Sequence, residues 1–437
     1  MRASASGTDL HGRIGLPIAF SVALKQVIGG GVIVLTGTAV GMTGAGAALA
    51  YGIACIVVLL VSLPYAVLGA ARPVSGALYR WPARFIHPRA GFLGFWMVLG
   101  THVALAAYAA TFGTSLHALL PVVPAPAAGL FALALVLGLN LLGTEVSGGA
   151  NIVVVALVAV ALAALALAGI PAIDPHRLAR LLPNGWFSLL AAAALLTFPI
   201  SGATLVSELA GEMKRPARDV PVAILGATAA AAALYVAVAL VAACVPGLPE
   251  APSLGVVAQH VMGSTGAVAF AIGTGIVSML GIMNTHLLWG SRSILMVCRD
   301  NWLPRSLATP NRRGAPIFPL CLLGLIGAVP LLARIDVADV IRIGGLGASG
   351  SAILSIACAS LNARADPEAY ARSPLAIPRP LLLLVSILAI AAQLATVGLL
   401  LQSLPWRLAL LWILWFGIGV LLSFIRTPDV APVEESP

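Results

Sequence analysis

The amino-acid sequence predicts an all-α integral membrane protein with about twelve transmembrane helices. Sixty per cent of the 437 residues are hydrophobic and only 9% are charged. The mean hydropathy of +1.04 lies far above that of soluble domains. Because a bilayer core of about 30 Å requires roughly 20 apolar residues of helix, each long apolar stretch is a candidate span. Glycine and proline interrupt two of these stretches at mid-depth, a pattern typical of secondary transporters.

Apolar stretches follow one another along the whole chain and are separated by polar loops. The predicted spans are 16–43, 46–71, 91–118, 127–144, 150–169, 187–210, 220–245, 266–296, 317–333, 338–361, 380–402 and 406–425. The first stretch lacks a small-residue cleavage site, so we expect a retained helix rather than a signal peptide. None of the loops is long enough to predict a separate soluble domain.

Basic residues predict the orientation of the chain. Of the 24 lysines and arginines, nineteen fall on one side of the predicted membrane, and five fall on the other, namely Arg177, Arg180, Arg334, Arg342 and Arg407. Since positively charged loops stay in the cytoplasm, both termini are predicted to be cytoplasmic. The net charge of +9 is then explained by topology, and no nucleic-acid partner is predicted. The Arg-rich, Ala-rich composition indicates a bacterial cytoplasmic (inner) membrane, and oligomeric state does not follow from the sequence.

The sequence contains no pattern that predicts an enzyme, a metal site or a cofactor. Its five cysteines, Cys55, Cys244, Cys298, Cys321 and Cys358, are widely spaced and fit neither a metal site nor a disulfide framework. P-loop, zinc-helix and nucleophile-elbow motifs are absent, which argues against ATP-driven transport by this chain and against catalysis. A major-facilitator transporter would carry a Gly-Asp-Arg-rich loop after its second helix and a long central loop, and the sequence has neither. A channel, or a sensor with a transporter fold, stays open.

Two interruptions occur at similar depth in the first and sixth spans. Gly29, Gly30 and Gly31 lie halfway along the first span, and the segment 198–203, with the sequence FPISGA, lies in the sixth. Glycine frees the backbone, and proline removes a donor and clashes with the preceding turn. An unwound segment offers amide N–H groups to a carboxylate and carbonyls to an ammonium. This chemistry predicts a small amino acid or a related amine as the substrate.

The two interruptions begin corresponding five-helix units. We therefore predict a cytoplasmic N-terminus at 1–15, a first five-helix repeat at 16–169 and a second, inverted repeat at 187–361. Helices 11 and 12 at 380–425 and a cytoplasmic tail at 426–437 follow the repeats.

Five motifs together resemble the amino acid, polyamine and organocation transporter superfamily. They are IGGGVIVLTG at 28–37, RPVSGALY at 72–79, GFLGFW at 91–96, GATLVSELAGEMKRPARDVP at 202–221 and RDNWLP at 299–304. The resemblance covers most of the first 305 residues, in the order and spacing of the superfamily. It implies discontinuous helices 1 and 6 in a five-plus-five inverted repeat, two appended helices, and transport by alternating access.

The resemblance also implies which residues contact the substrate. These are Gly29, Gly30, Gly31 and Val32 in the first span and Phe198, Ile200, Ser201 and Gly202 in the sixth. Phe198 stands where relatives carry an aromatic side chain that covers the substrate; a lipid-facing or core aromatic is the alternative.

The sequence departs from the superfamily pattern directly after Gly202. Ala203 replaces an aromatic residue and Thr204 replaces an acid, and both positions belong to the predicted substrate site. The missing carboxylate favours a neutral amino acid over a polyamine or arginine, and the small Ala203 leaves room for a bulkier apolar side chain. An organic-amine antiporter or exporter remains the alternative transport function.

Lys25 lies one helical turn before Gly29, where a buried cation is costly and therefore a functional candidate. In some proton-coupled relatives a lysine on helix five replaces a bound sodium ion, and helix five of this chain has none. We hypothesise that Lys25, near Ser278 of helix eight, supplies that charge and that its deprotonation is coupled to opening. The alternative is that Lys25 snorkels to the cytoplasmic interface.

Histidines and acids near the two interruptions have two possible roles. His102 lies about 16 Å into helix three and is predicted either to relay protons or bind substrate, or to bond a neighbouring helix. Tyr108 has the same ambiguity, and His286, nearer a span end, is assigned no role. Glu208 and Glu212 resemble the loop that pairs with the inner gate in the superfamily, with a salt-bridged helix end as the alternative.

Overall fold

A computed structural model describes residues 14–143, 148–178 and 182–425. Within these ranges the regular elements are helices, and the only β-pairing consists of isolated bridges such as Ile14 with Met213 and Ser75 with Leu209. Residues 1–13 of the predicted N-terminus and the whole predicted tail 426–437 lie outside the described residues. The same applies to Arg2, Arg13, Arg180 and Arg426 of the predicted charge distribution.

Most of the α-helices overlap the predicted apolar stretches, but the helices at 77–85, 175–178 and 367–372 lie in predicted loops, and the helix that leads into the eighth span begins at Leu254 rather than at 266. The α-helices are α1 (Leu16–Val27), α2 (Gly30–Thr43), α3 (Ala47–Ala71), α4 (Ala77–Phe85), α5 (Pro88–Thr101), α6 (Ala104–Leu119), α7 (Ala125–Leu141), α8 (Gly148–Gly169), α9 (Pro175–Leu178), α10 (Gly185–Ile200), α11 (Pro216–Cys244), α12 (Leu254–Phe270), α13 (Ser278–Arg299), α14 (Ile317–Leu332), α15 (Val337–Ala365), α16 (Pro367–Arg372), α17 (Arg379–Ser403) and α18 (Trp406–Ile425). A 3₁₀ helix, Ser201–Glu208, continues α10, and a π-helix, Ala271–Val277, joins α12 to α13.

Nine helical stretches in the described ranges are long and apolar enough to cross a membrane. Three shorter apolar helices, α1, α7 and α14, coincide with further predicted spans. The outermost helices, α17 and α18, expose large apolar side chains such as Leu383 and Leu414, as expected of a surface that faces lipid. The chain is therefore an all-α, multi-pass membrane protein.

The first span is interrupted where the glycine run predicts. Helix α1 ends at Val27, Ile28 has a ψ of 44°, and Gly29 is extended, with a ψ of −154°. Helical geometry resumes at Gly30. The first-turn amides of α2 therefore start beside the last turn of α1, which leaves backbone groups of both half-helices without their usual intrahelical partners.

The sixth span changes to a narrower type of helix and does not unwind. Pro199 lies inside α10, and from Ser201 the chain continues as the 3₁₀ helix to Glu208. Hydroxyls reinforce the tighter winding, because Ser201, Thr204 and Ser207 each donate to the carbonyl three residues earlier, at 2.7–2.8 Å. The predicted break in this span is thus a change of helix type.

The 3₁₀ helix lies at the centre of the molecule. It packs against α1, α3 and α11, while α15 packs against α5 and α17 on the other side of α10. This arrangement brings the interruption of the first span, the sixth span and the C-terminal helices to one internal region.

Candidate functional site

A cavity lies beside the end of α1 and the start of the 3₁₀ helix. It holds about 740 Å³ of atom-free space, its mouth included, and is bounded by α1, α3, α4, α5, α6, α10, the 3₁₀ helix, α13, α15 and α17. Four residues of the predicted substrate site line it: Phe198, Ser201, Gly202 and Thr204. The side chain of Phe198 extends from this wall towards Gly344 and Gly345 of α15.

Gly202 brings the two interrupted spans into direct contact. A methyl group added at Gly202 would overlap the main-chain carbonyl of Gln26, in the last turn of α1. Only glycine allows the two backbones to approach this closely. The sequence therefore fixes the meeting point of α1 and the 3₁₀ helix at Gly202.

Gly29, Val32, Ile200 and Ala203, also predicted to contact substrate, are not among the described residues that line the cavity. Gly29 packs against Ile282 of α13, whereas Val32, Ile200 and Ala203 belong to the hydrophobic core. Gly30 and Gly31 form the first turn of α2. Because Ala203 is buried in the core, its small size does not widen the cavity, contrary to our expectation. Contact between substrate and these backbone segments stays a prediction.

Three polar groups on α1 and α13 face the cavity without a partner in the described part of the chain. They are both amide atoms of Gln26, Nδ1 of His286 and Nε1 of Trp289, all in buried side chains. Buried polar groups are normally hydrogen-bonded, so an unpaired set in one cavity indicates a site for a polar ligand or water. We predicted that His286 lies near a span end and assigned it no role. The predicted position was wrong, because α13 continues to Arg299 and His286 lies in its interior.

Rings from α5, α6 and α13 form a cluster behind this wall. The rings of His102 and Trp289 are 4.6 Å apart, those of His286 and Trp289 are 5.1 Å apart, and those of Tyr108 and His286 are 5.2 Å apart. His102 lies at the junction of α5 and α6, where its Nδ1 is 3.0 Å from the Val98 carbonyl. It contacts α13 only through its ring, bonds its own helix and is not among the residues that line the cavity, so its role stays a prediction; Tyr108 lines the cavity.

The cavity wall carries no formal charge. Among the described residues that line it, none is an aspartate, glutamate, lysine or arginine. A cationic side chain would therefore lose hydration here without gaining an ion pair, at a cost of several kcal/mol (about 2–5). The wall suits a ligand that is neutral overall.

Lys25 lies in a separate buried site next to the cavity. Its Nζ donates to Oδ1 of Asn151 on α8 at 2.7 Å, and Asn151 donates to Oγ of Ser21 at 3.2 Å. The same Nζ lies against Gly281, one turn after the buried Ser278 in α13. The side chain is only 4% exposed, so it bridges α1, α8 and α13 rather than reaching towards the interface.

Sequence reasoning missed Asn151, although a signal was present. Between Gly148 and Gly169, α8 is otherwise built from apolar residues and glycine, and Asn151 is its single polar side chain. Polar side chains inside a membrane helix are costly unless they bond a partner. The partner of Asn151 was hidden because 126 residues separate it from Lys25.

A tyrosine from α11 caps the interruption of the first span. The hydroxyl of Tyr235 donates to the carbonyl of Val27, the last residue of α1. Its ring lies 5.4 Å from that of Tyr51, whose hydroxyl is 2.8 Å from Oγ1 of Thr36 in α2. One of the carbonyls freed by the interruption is therefore already paired within the protein.

Glu208 connects three elements at the end of the 3₁₀ helix. Its Oε1 accepts from the Leu78 amide at 2.6 Å, and its Oε2 accepts from Ser293 of α13 at 2.7 Å. Glu212 forms an ion pair with Arg292 of α13. These contacts join α4, α13 and the sixth span. A salt bridge at a helix end alone would not connect three elements.

A second network lies nearby and involves two more of the motifs. Tyr79 donates to Asp300 at 2.6 Å and accepts from Trp302 Nε1 at 3.1 Å. Burial and the bonded Asp300 raise the pKa of the Tyr79 phenol. The motifs at 72–79, 202–221 and 299–304, far apart in sequence, thus meet at one face of the molecule.

Comparison with known proteins agrees with this arrangement. The family model for amino acid permeases matches residues 19–425. An uncharacterized transporter of Mycobacterium tuberculosis is 31% identical over 351 residues, covering 78% of each chain. A branched-chain amino acid permease of Bacillus subtilis is 28% identical over 433 residues, covering 92% of this chain and 90% of the relative. A methylthioribose transporter of the same species is 28% identical over 435 residues, covering 91% and 90%. The extent of the match to the family model shows that the chain belongs to the amino acid permease family.

Proposed function

We propose that the chain is a secondary active transporter that moves a small, neutral amino acid across the cytoplasmic membrane by alternating access. The observation that carries this proposal is the uncharged cavity, which has unpaired polar groups and lies where α1 meets the 3₁₀ helix at Gly202. Transport is either proton-coupled or an exchange of one substrate for another.

The proposal includes a specific topology. About twelve spans form inverted repeats at 16–169 and 187–361, α17 and α18 are appended, and both termini are cytoplasmic. Two observations support it: corresponding positions of the first and sixth spans change geometry, and nineteen of 24 basic residues fall on the side assigned to the cytoplasm. Glu208 and its partners would then form contacts of the inner gate.

Substrate recognition would begin with the backbone. The amides at 30–33 start α2 and favour a carboxylate, both through their N–H groups and through the helix dipole. Phe198, in the cavity wall, would cover the bound molecule. The wall offers no carboxylate to an additional cationic group, which disfavours polyamines. Two relatives are named for neutral molecules, a branched-chain amino acid and methylthioribose.

Ion coupling would use Lys25. Its ammonium is held by Asn151 between three helices, so loss of its proton would weaken a contact that joins α1 to α8. Such a change can bias the equilibrium between two conformations.

Uptake into proteoliposomes tests the function directly. A panel of radiolabelled amino acids is offered with and without an inward proton gradient, and with and without unlabelled substrate inside. Accumulation of a neutral member under the gradient supports proton-coupled transport, and uptake that requires a preloaded lumen supports exchange. Flux of polyamines alone would replace the substrate proposal, and binding without flux would indicate a sensor.

A further inference from the structure

We propose that Ser351 and Gln393 form a subsite that binds a hydroxyl or carboxamide on the side chain of the transported molecule. This inference rests on the proposed function and specifies the substrate class more closely. Among neutral amino acids, the chain would select polar ones over aliphatic ones of the same shape.

Both residues line the cavity from its C-terminal wall. Ser351 lies on α15 and Gln393 on α17, and these two helices pack against each other. Each side chain is buried, with 2% and 3% of its surface exposed. Oγ of Ser351 and Oε1 of Gln393 have no hydrogen-bond partner among the residues that the structure describes.

Hydroxyls elsewhere on α15 and α17 show how such groups can be bonded within the protein. Some other hydroxyls on the same helices are bonded within the protein: Thr396 donates to the Ala392 carbonyl at 2.9 Å, and Ser360 donates to Ser386 at 2.9 Å. Ala348 and Ala352, on the same helix as Ser351, line the cavity with small side chains. A buried polar atom without a partner is costly, so its presence in a cavity wall indicates a polar occupant.

The chemistry of the two groups defines that occupant. An amide oxygen accepts a hydrogen bond, whereas a serine hydroxyl both donates and accepts. A ligand group that donates and accepts satisfies both, which describes an alcohol or a carboxamide. The described residues that line the cavity include no charged one, so none of them would neutralise a carboxylate or an ammonium side chain here.

The two residues belong to other helices than the remaining unpaired polar groups of the cavity. Gln26, His286 and Trp289 belong to α1 and α13, and Gln26 lies next to the interruption where we place the amino acid head group. A molecule with a polar head group and a polar side chain would therefore pair with both sets.

Pairs of amino acids with nearly equal shape test the subsite. Proteoliposomes containing the native chain are offered threonine against valine, and asparagine against leucine, and kcat/KM is measured for each. We expect the polar member of each pair to be favoured about tenfold or more, because a site built to hydrogen-bond a group discriminates against its absence. In Gln393→Leu and Ser351→Ala this ratio should fall towards one, with transport of valine or leucine retained.

Thr396→Val is the matched control, because it removes a buried hydroxyl of α17 that does not line the cavity. It should keep the native ratio. If Gln393→Leu fails to fold, Ser351→Ala, which adds no volume, still measures the effect. The inference is overturned if the native chain prefers valine and leucine, or if both variants keep the native ratio.

A binding measurement distinguishes failure of the subsite proposal from failure of the transport proposal. Dissociation constants for the same pairs, measured in detergent by ligand-induced thermal shifts, report the subsite without flux. Binding with the predicted preference but without uptake would refute transport and support the subsite. Binding without the preference would refute the subsite alone, and no binding of any member would refute both.

Discussion

The interruptions of the first and sixth spans have similar sequence causes and different structures. In the first, the chain leaves helical geometry at Ile28 and Gly29, and the hydroxyl of Tyr235 from a distant helix bonds the freed Val27 carbonyl. In the sixth, Pro199 and Gly202 lead only to a 3₁₀ helix, whose carbonyls are bonded by hydroxyls three residues later in the same segment.

The difference shows that flanking side chains decide what a glycine or proline does. Serine and threonine after Pro199 satisfy the carbonyls locally and keep the chain wound. The first span has no serine or threonine between Ser21 and Gly29, and the freed Val27 carbonyl accepts from the Gly29 amide at 2.7 Å and from the hydroxyl of Tyr235 on α11. The first interruption is thus held in part from outside the segment, and the sixth from within it. Five substitutions test this distinction.

Gly202→Ala should have the largest effect, because it separates the two interruptions. The new methyl group would overlap the Gln26 carbonyl, which is backbone and cannot rotate away. We expect uptake to be lost and the free energy of unfolding to fall by about 1–3 kcal/mol. Thermal unfolding in detergent and proteoliposome uptake measure the two effects.

Gly398→Ala is the control for this substitution. It lies in α17, and a methyl group there meets no atom within 4 Å. It should leave uptake unchanged and keep or slightly raise the unfolding temperature, as alanine favours helix. Native uptake by Gly202→Ala would show that the contact between α1 and the 3₁₀ helix is not needed.

Lys25→Ala should affect coupling at the first interruption more than stability. The sixth span carries the neutral Thr197 four residues before Ser201, where the first carries Lys25 four residues before Gly29. We expect gradient-driven accumulation to fall about tenfold or more while exchange with preloaded substrate persists. Full pH-driven accumulation by Lys25→Ala would refute the coupling role.

Asn151→Ala sharpens the same test. It removes the acceptor of Lys25 Nζ but keeps the lysine, so coupling should be weakened less than in Lys25→Ala. Equal losses in both variants would mean that the hydrogen bond, rather than the charge, is what matters.

Tyr235→Phe should destabilise the first interruption without adding volume. It removes one of the two donors to the Val27 carbonyl and leaves the Gly29 amide at 2.7 Å, so we expect a loss of about 1–1.5 kcal/mol. Hydrogen exchange should rise around 27–31 and stay native in the 3₁₀ helix. Tyr370→Phe, whose hydroxyl bonds Ile377 in a loop, is a control that should leave exchange at 27–31 unchanged.

The sequence was sufficient for the fold class, the break after Val27 and the importance of Gly202, since these depend on local composition and backbone freedom. It was insufficient for Asn151, Tyr235 and Gln393. Each of these is an ordinary residue in its own helix, and its significance comes from a partner or a cavity formed by helices distant in sequence. The 3₁₀ winding was also missed, because the helix-breaking effect of Pro199 was considered without the hydroxyls that follow it.

Ser207→Ala should have the smallest effect. It tests whether hydroxyls within the sixth span hold the carbonyls of the 3₁₀ helix. Ser207 is buried, lies outside the cavity wall and donates only to the Thr204 carbonyl among its recorded bonds, at 2.7 Å. Since the hydroxyls of Ser201 and Thr204 still hold the preceding turns, we expect a loss below about 1 kcal/mol and nearly native uptake. Exchange should rise only at the end of the 3₁₀ helix, near Glu208. A loss as large as that of Tyr235→Phe would mean that the sixth span depends on each hydroxyl, and that local and tertiary capping are equally critical.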